Sequence, residues 1–302
     1  MNYDIIVVGG GPAGMTAALY GARAGKSVLL LEGEALGGQI LQSQRIENYP
    51  ALPESDGYTF AENLKSQILS AGVTVESLFA ERLCKADGGF CVTAAGRELL
   101  GRSVILATGL KHKKLNVPGE STLIGRGVSF CATCDGMFFR KKEVAVVGGG
   151  NTAVQDALVL AEYCARVYLI HRRNELRAER ALAERMAKKE NIVFVGDTVI
   201  EEIVGNDRLE YLTLKNLKTE ESSSLAVAGL FEAIGYQPQN EIFRDAVALD
   251  EDGYFITDES CATSLYGVFA AGDGRAKNVR QLTTATADGT VAALSCVAYL
   301  DA

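Results

Sequence analysis

The chain has 302 residues, 48% of them hydrophobic and 32 of them glycine, enough to bury a substantial core and to make about two domains. A formal net charge of −8 excludes a protein built mainly to grip a phosphate backbone, which leans on clustered Lys and Arg. No apolar run reaches the ~18 residues that cross a bilayer, and a Gly turn follows the N-terminus too soon for a signal peptide. The expectation is a cytoplasmic protein with neither nucleic acid nor membrane as partner.

In chain order, Tyr3-Asp4-Ile5-Ile6-Val7-Val8 predicts a strand, Gly9-Gly10-Gly11-Pro12-Ala13-Gly14 a turn, and residues 15–24 an Ala-rich helix. Gly9 suits the tight turn, Gly11 lets backbone approach a pyrophosphate, and Gly14 lets helix pack close to strand. The helix start, with Pro12 and Ala13, offers N–H donors to phosphates. The next strand, 26–32, ends in Glu32. An acid about 20 residues after the turn accepts hydrogen bonds from a ribose diol and repels a 2′-phosphate, which suits FAD or NAD. A Gly-rich turn without ligand is the competing reading; strand, helix and terminal acid together weigh against it.

Further along, 104–109 reads as a strand ending in the small residues Ala107, Thr108 and Gly109, which allow backbone to lie against a cofactor. Lys111, His112, Lys113 and Lys114 read as a solvated basic face, with His112 exposed. Cys131-Ala132-Thr133-Cys134-Asp135 follows, a spacing that by itself allows a metal clip, a structural staple or a redox centre. The other cysteines, Cys84, Cys91, Cys164, Cys261 and Cys296, are scattered and read as small core or surface residues.

A second strand–turn–helix begins at 143. Gly148-Gly149-Gly150-Asn151-Thr152-Ala153 is its turn, and 154–163 its helix. The following strand, 166–170, ends in His171-Arg172-Arg173, with Arg177 beyond, where the first unit has its acid. Arginines here can pair with a 2′-phosphate, so this site prefers NADP; a solvated basic face beside Glu175 and Glu179 is the alternative. Short strands with polar turns fill 191–230, a loop with Pro238 follows 229–235, another strand ends at Asp273, and a last Ala-rich helix runs from about 284 to 299. The pattern reads as an α/β protein with one nucleotide domain inserted into another.

The order and spacing of these motifs make the chain similar, over essentially its whole length, to the low-molecular-weight thioredoxin reductases. The resemblance rests on the first Gly turn, Gly37-Gly38-Gln39, Glu47-Asn48-Tyr49-Pro50, Ala107-Thr108-Gly109, the Cys131–Asp135 stretch with Gly136, the second Gly turn, His171-Arg172-Arg173, and Ala271-Gly272-Asp273 with Arg280-Gln281. It implies two Rossmann-like three-layer domains. FAD, bound without a covalent link, falls to 1–110 with 233–302, and NADPH to 111–232, which carries the CxxC. It also implies a homodimer, and assigns Gly38, Gln39, Asn48, Thr108, Gly109, Gly272, Asp273, Arg280 and Gln281 to FAD. Departures are the wording of loop 50–57, Gly274 where a branched residue is common, and Gln239 inserted between Pro238 and Asn240.

A metal clip needs further ligands, and the chain has no second CxxC and only His112 and His171. A CxxC disulfide closes too small a loop to staple a fold. The redox reading stands. The resemblance then implies that electrons pass from NADPH through FAD to the disulfide, with Cys134 nearest the flavin. Cys131 is the thiolate that attacks thioredoxin, and Asp135 the proton donor and acceptor. Because the disulfide and the nicotinamide site share one domain, a rotation about 110–118 and 230–238, with Gly109 and Gly235 as hinge neighbours, is expected between half-reactions. Rival readings are a related flavin disulfide reductase for another thiol protein, a dithiol oxidase, a ferredoxin-linked flavin reductase, and a flavin-bound redox sensor.

Overall fold

The structure, a computed structural model, describes residues 2–43, 46–52 and 55–302. The chain divides into two units, Met1–Lys111 with Gln237–Ala302, and His112–Tyr236.

In the first unit β1 (Asn2–Val8) carries the unbroken run Ile5-Ile6-Val7-Val8, all buried, as a central parallel strand with both faces covered requires. It leads through the Gly turn into α1 (Pro12–Arg23), then to β2 (Val28–Leu31). α2 (Gly57–Ser70) is started by Asp56, whose Oδ1 accepts from Thr59 N at 2.8 Å. Then come β3 (Thr74–Glu76), β4 (Ala80–Ala86), β5 (Gly89–Ala94), β6 (Arg97–Leu106) and the short β7 (Leu110–His112), which ends at the first crossing between units.

The second unit opens with a one-turn helix α3 (Glu120–Leu123) and β8 (Val128–Ser129), followed by α4 (Ala132–Asp135), the turn that holds the cysteine pair. β9 (Glu143–Val147), α5 (Asn151–Ala161), β10 (Arg166–Ile170), α6 (Arg180–Ala187) and β11 (Ile192–Val195) repeat the strand–helix alternation. An antiparallel meander of β12 (Thr198–Gly205), β13 (Leu209–Asn216) and β14 (Ser222–Ala226) precedes β15 (Gly229–Glu232). β16 (Tyr236–Pro238) carries the return crossing. β17 (Val268–Ala270) and the long α7 (Leu282–Leu300) complete the first unit.

Among the described residues the first unit holds a seven-stranded sheet ordered β3-β2-β1-β6-β5-β4, with β17 pairing β6; the second holds the parallel sheet β11-β10-β9-β15-β8 and the meander. Parallel sheets with buried central strands and helices packed on them are the expected α/β class. α7 lies against α1 because Gly289 has no side chain: a Cβ there would stand 2.2 Å from the Ala13 carbonyl oxygen.

Several elements differ from their sequence expectation. α5 starts at Asn151, directly on the Gly turn, and α7 starts at Leu282, where Gln281 and Thr284 form a reciprocal cap. The antiparallel hairpin β4–β5 and helices α2 and α6 were not anticipated. His112 is not exposed: it is half-buried between the rings of Phe130 (4.9 Å) and Tyr236 (4.6 Å). Of the unusual loop 50–57, Pro53 and Glu54 lie outside the described residues. Gly274 has a local reason, since a Cβ there would meet Thr108 Oγ1 at 3.1 Å.

Candidate active site

The first Gly turn is shaped by contacts that exclude side chains. Gly9 has φ 107°, and a Cβ on it would fall 2.2 Å from Ala107 O; a Cβ on Gly14 would fall 1.8 Å from Gly9 O. Gly11, by contrast, has no neighbour closer than Gly37 O at 4.0 Å, and no side chain caps the first turn of α1. An open backbone at a helix start, with uncapped N–H groups, is what a pyrophosphate needs. Gly37 N donates to Gly10 O at 2.8 Å, which brings Gly38 beside Gly11, 3.4 Å from a built Cβ to Gly11 Cα.

Glu32 braces this turn. Its Oε2 accepts from Gly10 N and its Oε1 from Glu34 N, both at 2.7 Å. Each carboxylate oxygen keeps a lone pair for a ribose hydroxyl.

The remaining first-unit residues meet in pairs. Gln39 donates to the Leu110 carbonyl, and Asn48 Nδ2 donates to Gln281 Oε1 at 3.0 Å. Thr108 Oγ1 donates to Asn240 Oδ1 at 2.6 Å, and Gly109 sits at φ 63° with open space where its Cβ would be. Gly272 (φ 79°) packs on Ala13, and Arg280 donates to Asp273 O at 3.3 Å while lying over the Tyr254 ring. Asp273 Oδ1 is buried with no hydrogen-bond partner, the Lys277 ammonium being 3.6 Å away; burial raises this carboxyl above its usual range against the pull of Lys277 and Arg280. A ligand hydroxyl would satisfy that oxygen. These features fit a flavin dinucleotide.

Two residues of this region escaped the sequence reading. Asn240 is fully buried and donates to Gly253 O (3.0 Å) and Gly274 O (2.8 Å), tying the 240 loop to the Asp273 turn. Asp288 on α7 accepts from Gly272 N (3.1 Å), Arg275 (2.9 Å) and Lys277 (2.8 Å). A lone Asn or Asp in sequence carries no signal for such a role.

In the second unit Gly148 (φ 150°) lies against Ala233 O, 2.3 Å from a built Cβ, and Gly150 is open, again with no side-chain cap on its helix. The His171 ring covers Gly149, where a Cβ would fall 2.3 Å from Cε1, and Nε2 is buried without a partner. Burial, and then the charges of Arg177, Arg172 and Arg173, lower the His171 pKa, which favours the neutral ring. Asn151 is held by a reciprocal pair with Glu179 (2.8 and 2.9 Å), and Arg177 N donates to Gly149 O at 2.7 Å. Arg172, Arg173 and Arg177 are exposed and, among the described residues, have no ion-pair partner. A cavity of about 140 Å³ opens beside Gly150 and Thr152, walled by Arg177, His112, Phe130 and Tyr236. Ala153, buried, anchors the helix start. An open Gly turn flanked by three uncommitted guanidinium groups fits a 2′-phosphorylated dinucleotide.

Cys131 and Cys134 form a disulfide (S–S 2.00 Å, Cα–Cα 5.3 Å) around α4, both half-buried. Cys134 N donates to Cys131 Sγ at 3.2 Å. Ser129, also missed in the sequence, anchors the turn: its hydroxyl donates to Asp135 Oδ2 at 2.6 Å and accepts from Cys131 N at 3.1 Å. Gly136 is required where it is, since a Cβ would strike the Tyr163 hydroxyl at 2.3 Å. Among the described residues no cluster of three His, Cys, Asp or Glu could hold a metal ion, and no helix is long and apolar enough to cross a membrane.

Comparison with known proteins agrees with this geometry. The profile of the pyridine nucleotide-disulphide oxidoreductase family matches residues 3–289. A thioredoxin reductase of Treponema pallidum is 44% identical, covering 99% of this chain and 98% of that one; one of Peptoclostridium litorale is 41% identical, covering 99% and 97%. The crystal structure of the Lactococcus lactis thioredoxin reductase superposes with a TM-score of 0.86 at 39% identity, covering 99% of both chains. The chain belongs to the pyridine nucleotide-disulphide oxidoreductases and, within them, to the thioredoxin reductase family.

Proposed function

We propose that this enzyme reduces the disulfide of thioredoxin with electrons from NADPH, the unit of residues 1–111 and 237–302 holding FAD and the unit 112–236 holding NADPH. The observation that carries this reading is the Cys131–Cys134 disulfide braced by Ser129 and Asp135 in the unit that also has the arginine-flanked Gly turn. FAD, when bound, supplies two-electron transfer between a nicotinamide and a disulfide.

The chain's own residues do the rest. Gly9, Gly11, Pro12, Ala13 and Gly14 receive the flavin pyrophosphate on the start of α1, Glu32 takes the ribose diol, and Asp273 accepts from a ligand hydroxyl. Gly38, Gln39, Asn48, Thr108, Gly109, Gly272, Arg280 and Gln281 complete that wall. Gly148, Gly150, Asn151, Thr152 and Ala153 receive the nicotinamide dinucleotide, with His171, Arg172, Arg173 and Arg177 at its 2′-phosphate.

Once the pair is reduced, the Cys131 thiolate attacks the partner's disulfide, forming one mixed S–S bond as the partner's S–S bond breaks. Cys134 then displaces the partner's remaining sulfur, restoring Cys131–Cys134 and leaving a dithiol. Asp135, held by Ser129, passes a proton to the thiolate that leaves. Reorientation of the two units between half-reactions is part of this proposal. It is supported by Gly109 and Gly235, at φ 63° and 101° beside the crossings, each with open space around it.

A cytoplasmic homodimer is the further expectation. Exposed apolar side chains of the first unit, Tyr266 at 80% and Val291 and Leu294 one turn apart on α7, support a subunit contact. Light scattering on the purified protein tests it. The catalytic reading is tested by anaerobic NADPH oxidation with and without thioredoxin. Thioredoxin-dependent turnover that vanishes in Cys131→Ser supports it; one flavin bleaching followed by arrest would move the search to another acceptor or a sensor role.

A further inference from the structure

Cys84 and Cys91 face each other across the β4–β5 hairpin at the edge of the large sheet. The two-residue turn Asp87-Gly88, with Gly88 at φ 76°, pins the register: Ala86 opposes Gly89, Lys85 opposes Phe90, and Cys84 opposes Cys91. Leu83, Phe90 and Val92 enter the core from one face, so the two thiols share the other. Directly opposed residues have Cβ atoms about 4.5–5.5 Å apart, and a disulfide closes at about 3.5–4.5 Å. Only a small inward shift separates the two, and β4, bonded to a neighbour on one side, is the strand free to make it. The two residues already interact. Cys84 Sγ donates toward Cys91 O at 3.7 Å, and burial together with the Cys84 thiol raises the Cys91 pKa.

The other cysteines outside the CxxC are each committed elsewhere: Cys296 Sγ to Ser103 Oγ at 3.0 Å, Cys164 Sγ to Phe139 O at 3.4 Å, and Cys261 Sγ to Arg275 at 3.2 Å. We propose that Cys84 and Cys91 are a second thiol–disulfide site, a dithiol that hydrogen peroxide converts to a cross-strand disulfide. Half-buried Cys84 reacts first. Its sulfur bonds to one peroxide oxygen as the O–O bond breaks, water leaves, and a sulfenic acid remains. Cys91 sulfur then attacks Cys84 sulfur, the S–O bond breaks, and a second water leaves. Two thiols thus give two electrons and two protons to one peroxide. The product fastens the edge strand to its neighbour in a unit that does not contain Cys131 and Cys134.

The test uses the full-length holoenzyme, reduced, freed of reductant, exposed to a few equivalents of hydrogen peroxide, blocked with N-ethylmaleimide and digested with trypsin without reduction. Cleavage after Arg82, Lys85 and Arg97 separates residues 83–85 from 86–97, so the disulfide appears as those two peptides joined. The joined species should accumulate with peroxide, disappear on reduction, and be absent from Cys84→Ser while the Cys131–Cys134 peptide still forms. Finding both peptides alkylated, or Cys84 carried to the sulfinic acid with no joined species, at peroxide levels that close Cys131–Cys134 would overturn the proposal. So would the same joined mass in Cys84→Ser.

Discussion

The Ser129 hydroxyl holds Asp135 at 2.6 Å while accepting the Cys131 amide at 3.1 Å, so one side chain fixes the carboxyl and the Cys131 backbone together. Asp135→Asn should lower thioredoxin-dependent turnover by about 10²-fold, the usual worth of a positioned acid–base group. Ser129→Ala should lower it several-fold, because Asp135 loses its anchor, and Ser129→Thr, which keeps the hydroxyl, should restore it. Steady-state rates check all three; full turnover in Ser129→Ala would remove Ser129 from the positioning role.

Glu232, at the end of β15, is buried with neither oxygen hydrogen-bonded. The adjacent Glu120 carboxylate is already engaged by the Leu115 and Asn116 amides at 3.0 and 2.6 Å. Burial, and then Glu120, push the Glu232 pKa from 4.5 to about 9. A raised folded-state pKa means the contribution to stability is whole below about pH 4.5 and is lost as pH rises toward 9, where the unfolded chain ionises and the folded one does not. Glu232→Gln should therefore gain on the wild type across that window, by on the order of a few kcal/mol at its upper end. Melting temperatures measured from pH 5 to 9 should diverge; parallel curves would show that Glu232 ionises normally.

Arg172, Arg173 and Arg177 have no ion pair among the described residues, which leaves them available to a 2′-phosphate. Losing charge-assisted hydrogen bonds worth about 1.5–3 kcal/mol should raise the KM for NADPH about 10–100-fold in Arg172→Ala/Arg173→Ala. KM for NADH should hardly move. Equal losses for both nucleotides would mean that these arginines act only on the fold.

Asp288 accepts from Arg275, Lys277 and the Gly272 amide, and both cations are mostly buried. Asp288→Ala removes the carboxylate that Arg275 and Lys277 share, a loss of about 3–5 kcal/mol for a broken buried pair. It also frees the turn that presents Asp273. The variant should melt lower and hold less FAD after gel filtration, as read by the ratio of flavin to protein absorbance. Full flavin content would separate the charge network from the flavin site.

Both Gly turns, the acid Glu32 after one and the arginines after the other, and the CxxC were legible in the amino-acid order. Each works through short-range geometry: a glycine where a Cβ would strike the next carbonyl, or a charge at a set distance from a turn. The expectation of one α/β unit inserted in another came from the same repeats. The companions of these motifs could not be read that way. Ser129 with Asp135, Asn240 with Thr108, Asp288 with Lys277 and Cys84 with Cys91 are contacts between ordinary residues, and only folding makes them neighbours. His112 shows the limit in reverse: its lysine-rich surroundings in sequence suggest solvent, yet two aromatic rings brought from residues 130 and 236 cover it. Local backbone sterics determined the Gly-rich turns, and packing across long sequence separations decided which side chains brace them.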